Sequence, residues 1–176
     1  NKTEIKKRTY YDRLNDAVET GFSYKKDTIT INNKQDVCIL KFIDVALISH
    51  NDILRINFKV AYKYIKLWKE RVEYLVKKLE EPLPENFKEK KVKFEFLIKT
   101  NKSQTLDYDS SVACLKFIID GVVKSKLIKD DSLENIPVVL TKQKKVKDEP
   151  SSIYLVISTT TDEEVDSYFS DSFKIL

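Results

Sequence analysis

Histidine occurs once in the chain, at His50, so no mechanism or metal site that needs two imidazoles is open to it. Only two glycines are present, Gly21 and Gly121, which leaves no room for a glycine-rich phosphate loop. The two cysteines, Cys38 and Cys114, can build neither a disulfide framework nor a four-cysteine zinc site. Both sit in apolar runs and read as core thiols of a reducing compartment. No run approaches the ~20 apolar residues of a membrane span, so no membrane partner is expected. No signal-peptide pattern is visible.

What is present is a folding sequence. The 176 residues are 41% hydrophobic and include nine Phe and nine Tyr, enough to bury a core without staples and too apolar for disorder throughout. The net charge of +4 is modest, but it is unevenly distributed. Residues 55–78 carry eight Lys or Arg against Glu70 and Glu73, and residues 141–147 carry four Lys and no acid. Beyond residue 160 the balance reverses, with Asp162, Glu163, Glu164, Asp166 and Asp171 against Lys174 alone. Segregated basic surface of this kind permits polyanion binding, although composition alone favours solvated lysines of an AT-rich genome's protein.

Periodicity outlines the elements. Residues 4–20 can form a short helix. Residues 28–31 and 37–46 read as strands around a turn at Asn32–Asp36. Over 58–80, Ala61, Ile65, Trp68, Val72, Leu75 and Leu79 recur at helical spacing, and Pro82 and Pro84 follow. Lys59, Lys63 and Lys66 share another face of that helix, and Trp68 reads as core. Residues 91–98 alternate, with Val92, Phe94, Phe96 and Ile98 opposite Lys91, Lys93 and Glu95, which is a half-buried strand. A second helix over 111–124 is apolar nearly all round except for the stripe Lys116, Asp120 and Lys124. Residues 136–142 and 153–159 read as two further strands joined by a basic hairpin. The order (α)β-β-α-β-α-β-β predicts an α+β fold, a mixed β-sheet with packed helices. The expected division is an N-terminal extension over 1–36, a domain over 37–160 and an acidic C-terminal tail over 161–176.

Two acidic pairs bracket the second helix. Asp107 and Asp109, two apart, point to the same side in extended backbone. Asp130 and Asp131 lie beyond the helix's other end. Crowded carboxylates repel, and a divalent cation relieves the repulsion; hard cations favour such oxygen ligands. The same residues also suit plainer work, since Asp109 or Ser110 can cap the helix and Asp-Asp is common in turns.

The run Asp107-Tyr108-Asp109, then Lys116, then Phe117 to Gly121, then Leu127 to Ser132 resembles the core of the RusA-type Holliday junction resolvases. Lys116 to Asp120 and Asp120 to Asp130 have that family's spacing, and the preceding strand, long helix and strand agree over about 37–159. Ser110 stands where the family has Asn, and the interval from Asp109 to Lys116 is three residues longer. The resemblance implies a metal-dependent, structure-specific endonuclease that nicks branched DNA as a homodimer. Asp107, Asp109, Asp130 and Asp131 would hold Mg²⁺ or Mn²⁺. Asp107, Asp109, Asp131 and Lys116 would carry catalysis. Lys59, Lys63, Lys66, Lys142, Lys144, Lys145 and Lys147 would grip DNA phosphates. An inactive RusA-like regulator or inhibitor of a phage or mobile element is the alternative. The expected setting is the cytoplasm of a bacterial or phage-infected cell. The acidic tail either covers an edge strand or docks on a protein partner or the other protomer.

Overall fold

The computed structural model describes residues 26–45, 47–55, 57–80, 82–101 and 107–170. The elements run β1 (Thr28–Ile31), β2 (Val37–Ile43), α1 (His50–Arg55), α2 (Phe58–Val76), α3 (Asn86–Glu89), β3 (Val92–Thr100), α4 (Tyr108–Lys124), β4 (Val138–Lys145), β5 (Ser152–Thr159) and α5 (Asp162–Ser167). The expected α+β class, a mixed sheet with packed helices, is what the chain adopts. Its five strands lie in the order β1-β2-β5-β3-β4. β3 and β4 are parallel and joined through α4, whereas the other pairs are antiparallel. The helix expected at 4–20 lies outside the described residues.

Strand alternation sets the two faces of the sheet. Cys38, Leu40 and Phe42 of β2, Phe94, Phe96 and Ile98 of β3, and Ile153, Leu155 and Ile157 of β5 all turn to one side and are buried. Against them lie Trp68, Val72 and Leu75 of α2 and Leu115, Ile118 and Val122 of α4. Trp68 meets Phe42 edge-on at 5.6 Å between ring centroids, so it is core, as its spacing predicts. Burial pushes the Cys38 thiol up to about 12, the behaviour of an inert core thiol. α2 and α4 cross closely because Gly121 has no side chain; a Cβ there would come within 2.8 Å of the Cβ of Val72.

Local chemistry ends and starts these elements. The Asn32 side chain closes the β1–β2 turn by accepting the N–H groups of Asp36 and Val37, each at 3.0 Å. Asn57 caps α2 by accepting the Lys59 N–H at 2.9 Å. The strands at 138–145 and 152–159 do not form the expected hairpin. β5 inserts between β2 and β3 instead, while α4 carries the chain across to lay β4 parallel to β3 on the outside. Short local signals mark strands but do not choose partners; here the crossover helix fixes β4 as a parallel neighbour of β3. β1 also brings the sheet back to residue 28, ahead of the domain start expected at 37.

One polar contact is sealed inside. Arg71 of α2 and Asp27, just before β1, have fully buried side chains and pair through two bonds, Nε to Oδ2 at 2.5 Å and Nη2 to Oδ1 at 2.7 Å. Arg71 also donates to the Ile43 carbonyl at 2.6 Å, and Asp27 accepts the Ile43 N–H at 2.9 Å. The guanidinium lies 5.4 Å from the Trp68 ring centroid and 5.7 Å from that of Phe42. Arg71→Met strands the Asp27 charge in the core and is expected to cost about 3–5 kcal/mol. The double change Arg71→Met with Asp27→Leu should recover much of that loss. Urea unfolding measures both; a single variant within ~0.5 kcal/mol of the native chain would contradict the assignment.

Candidate binding face on the open side of the sheet

The acids bracketing α4 are not gathered into one nest. Asp107 is the N-cap of α4, its Oδ1 accepting the Ser110 N–H at 2.9 Å. Asp109 lies in the first turn, and its side chain is outside the described residues. Because the helix begins at Tyr108, Lys116 stands about 13 Å along the axis from Asp107, at ~1.5 Å per residue. Its ammonium binds Asp120, one turn further on, at 2.7 Å, and also binds Asp131. Asp131 therefore meets α4 on the side of Lys116 that leads away from Asp107. Asp130 is used in its own loop, accepting the Ser132 N–H at 2.9 Å and the Asn135 amide at 2.5 Å.

The electrostatics follow from these contacts. Asp120, then Asp131, hold the Lys116 ammonium above its ordinary pKa, and Lys116 holds the Asp131 carboxyl below its own. Asp120 also faces Lys69 of α2 at 3.6 Å, and Lys124 meets Glu73 of α2 at 2.6 Å. The polar stripe read from the sequence thus ties α4 to α2 and to the 130–131 loop. Among the described residues, no group of three or more His, Cys, Asp or Glu side chains can hold a metal ion.

Nor do the lysines expected to grip DNA form one track. Lys59, Lys63 and Lys66 are exposed on α2, on the helix-covered side of the sheet, and Lys66 faces Glu70 at 3.7 Å. Lys142 and Lys144 project from β4 on the opposite face. Gln143 between them points back to α4, donating to Ser111 Oγ at 3.3 Å. Lys145 shares the side of Gln143, and Lys147 follows the strand in an exposed loop.

That opposite face is the larger feature, and sequence reasoning passed over it. Strand register aligns its residues in rows. One row reads Ile39, Val156, Glu95, Leu140. The next reads Lys41, Tyr154, Leu97, Lys142. A third brings Lys99 beside Lys144. None of Ile39, Val156, Leu97, Tyr154 and Leu140 belongs to the buried core. Val156, Leu97, Tyr154 and Leu140 line a shallow groove of about 540 Å³, bounded by Lys142 and Lys144. Lys99 and Lys41 sit 5.0 Å and 5.9 Å from the Tyr154 ring centre. Lys99 also faces Glu149 at 4.0 Å. For Lys142 and Lys144 no carboxylate partner occurs among the described residues. The signal was present in the sequence: the second alternation of β3 and of 138–144 places these residues on one side.

The acidic tail docks on the same face of the sheet. α5 and Tyr168 lie over the start of β3. Asp162 pairs with Lys91 at 2.5 Å, Glu164 pairs with Lys93 at 3.0 Å, and the Tyr168 hydroxyl lies 2.8 Å from the same ammonium. β3 is an inner strand, so the described part of the tail, through residue 170, covers part of a face and not the edge strand that was expected.

No family model matches the chain, and no curated protein matches it. Among solved structures it is similar to the periplasmic domain of Helicobacter pylori MotB, at 12% identity and a TM-score of 0.36, over 85% of this chain and 94% of that one. A likeness that distant transfers neither fold nor function. These findings correct the RusA reading. No family model supports a RusA-type Holliday junction endonuclease, active or inactive, and among the acids that carried the resemblance Asp107 caps α4 while Asp130 and Asp131 make separate contacts of their own.

The loop contacts of Asp130 make a pH prediction. Hydrogen bonds from Ser132 and Asn135 hold its carboxyl down from 3.8 to about 2. A lowered folded pKa gives stability that is present above the unfolded value and is lost as pH falls through the folded one. Stability should therefore drop between pH 3.8 and about 2, and Asp130→Asn should flatten the drop. Thermal melts across that window measure it, and identical pH slopes for both chains would contradict the assignment.

Proposed function

We propose that the chain is a binding module that takes an anionic macromolecule across the open face of its sheet. The observation that carries this reading is the pairing of an accessible apolar floor with a lysine rim. Lys41 and Lys142 flank Tyr154 and Leu97 in one row, and Lys99 and Lys144 stand beside each other in the next. Apolar side chains left outside the core favour contact with a partner, since covering them removes apolar surface from water. The rim selects that partner by charge. Lysines with little else to neutralise them attract an anion at long range and release counterions when it binds.

The design is economical for binding. Backbone ladders on both sides hold β3 and β5, so the floor is rigid and loses little entropy when covered. Lys99 is steadied by the Tyr154 ring, which keeps the ammonium at the groove and leaves its charge intact. α2 contributes nothing to this face, because its lysines lie beyond the core on the other side of the sheet.

The test uses the full chain with polyglutamate and oligothymidylate as separate probes at rising salt. Binding to at least one probe should weaken steeply with salt. The triple change Lys99→Glu, Lys142→Glu, Lys144→Glu should reduce affinity about a hundredfold, while Lys59→Glu with Lys63→Glu should leave it within about twofold. Circular dichroism checks that the substitutions at these five positions keep the fold. Failure to bind either probe, or equal losses from the two sets, would overturn the reading.

A further inference from the structure

The chemistry of the groove narrows its partner further, on the assumption that the open face is the binding face. We infer that the groove takes an acidic polypeptide segment that alternates carboxylates with apolar or aromatic side chains.

The chain already binds one such segment to itself. In α5 and the residue after it, Asp162, Glu164 and Tyr168 meet Lys91 and Lys93 at the start of β3. The Tyr168 ring lies 5.4 Å from the Lys93 ammonium, and the Lys93 side chain is only 12% exposed, so the contact is well covered. Further along the same face the pattern recurs in part: Lys99 faces Glu149 at 4.0 Å and the Tyr154 ring at 5.0 Å, while Lys142 and Lys144 have no carboxylate partner among the described residues. Lys99 takes the place of Lys93 three rows on, Lys144 stands beside it, and Leu97, Leu140 and Val156 offer the apolar floor. What fits at one end of the face, a carboxylate on lysine with an aromatic ring laid over it, fits at the other.

The floor disfavours a nucleic-acid strand. Such strands bind by stacking bases on exposed aromatic rings. The aromatics lining the groove are Phe96, which is buried, and Tyr154, whose ring two lysines already lie against. Leu97, Leu140 and Val156 are aliphatic. Glu95 also projects from the middle of the groove, balanced by Lys93 at 3.7 Å. A phosphate chain carries charge on every unit and would have to pass that carboxylate. A peptide can set an apolar side chain opposite Glu95 and keep its acids for the rim.

The experiment titrates the full chain with a short peptide that alternates Glu with Leu and carries one Tyr. A scrambled-charge peptide with Lys for Glu, and oligothymidylate, are run in parallel. Binding is read by fluorescence anisotropy and located by amide chemical shifts. The acidic peptide should bind at least about tenfold more tightly than either control. Its shifts should centre on Leu97, Leu140 and Tyr154. Lys142→Glu with Lys144→Glu should weaken it about tenfold, and the milder Lys142→Gln with Lys144→Gln should weaken it less. Tighter binding of oligothymidylate at these residues would overturn the peptide inference and leave the anionic-face reading standing. No binding by any probe would overturn both. Peptide shifts confined to α2 or α4 would place the site elsewhere and also overturn the inference.

Discussion

Everything in this molecule hangs from the sealed pair between Arg71 and Asp27. A guanidinium and a carboxylate in an apolar interior each carry a large desolvation cost, and only a well-formed bidentate pair with further backbone partners offsets it. Here the partners are the N–H and the carbonyl of Ile43, at the end of β2. A single contact therefore fixes the entry to β1, the exit of β2 and the middle of α2. With α2 locked to that side, α4 can pack on it only where Gly121 lets Val72 approach. Both long helices then occupy one face of the sheet, and the consequence for function is that the other face is left to the partner.

The two faces are unlike in a way that follows from strand alternation. On the helix side, β2, β3 and β5 present a continuous aliphatic and aromatic surface. On the other side the same strands interleave apolar residues with lysine. Protection of an edge accounts for lysines on β4 but not for Lys41 and Lys99, which stand on inner strands. The tail reinforces the difference. Its acids pair with Lys91 and Lys93 at the start of β3.

Much of this was legible in the sequence. The alternation of Val92 to Ile98 gave β3 and both of its faces, and the spacing of Trp68, Val72 and Leu75 gave the buried side of α2. Arg71 was legible too, three residues after Trp68 on the same stripe, yet a charge on an apolar stripe reads as an exception until its partner is seen. Asp27 is forty-four residues away and carried no local signal. Strand order was likewise hidden, because β5 chooses between β2, β3 and β4 by tertiary packing. The acid pairs misled for a definite reason. Spacing along the chain says nothing of where a helix starts, and with Asp107 as the cap, Lys116 and its carboxylates fall more than two turns along α4.

The most direct measurement is hydroxyl-radical footprinting of the full chain, read residue by residue with mass spectrometry. If the second face of the sheet is open, Leu97, Leu140, Tyr154 and Val156 are oxidised readily while Phe94, Phe96 and Ile98 on the same strands are spared. Equal protection of both sets would mean that the face is already covered, and the account of this chain as a sheet-face binding module would fail.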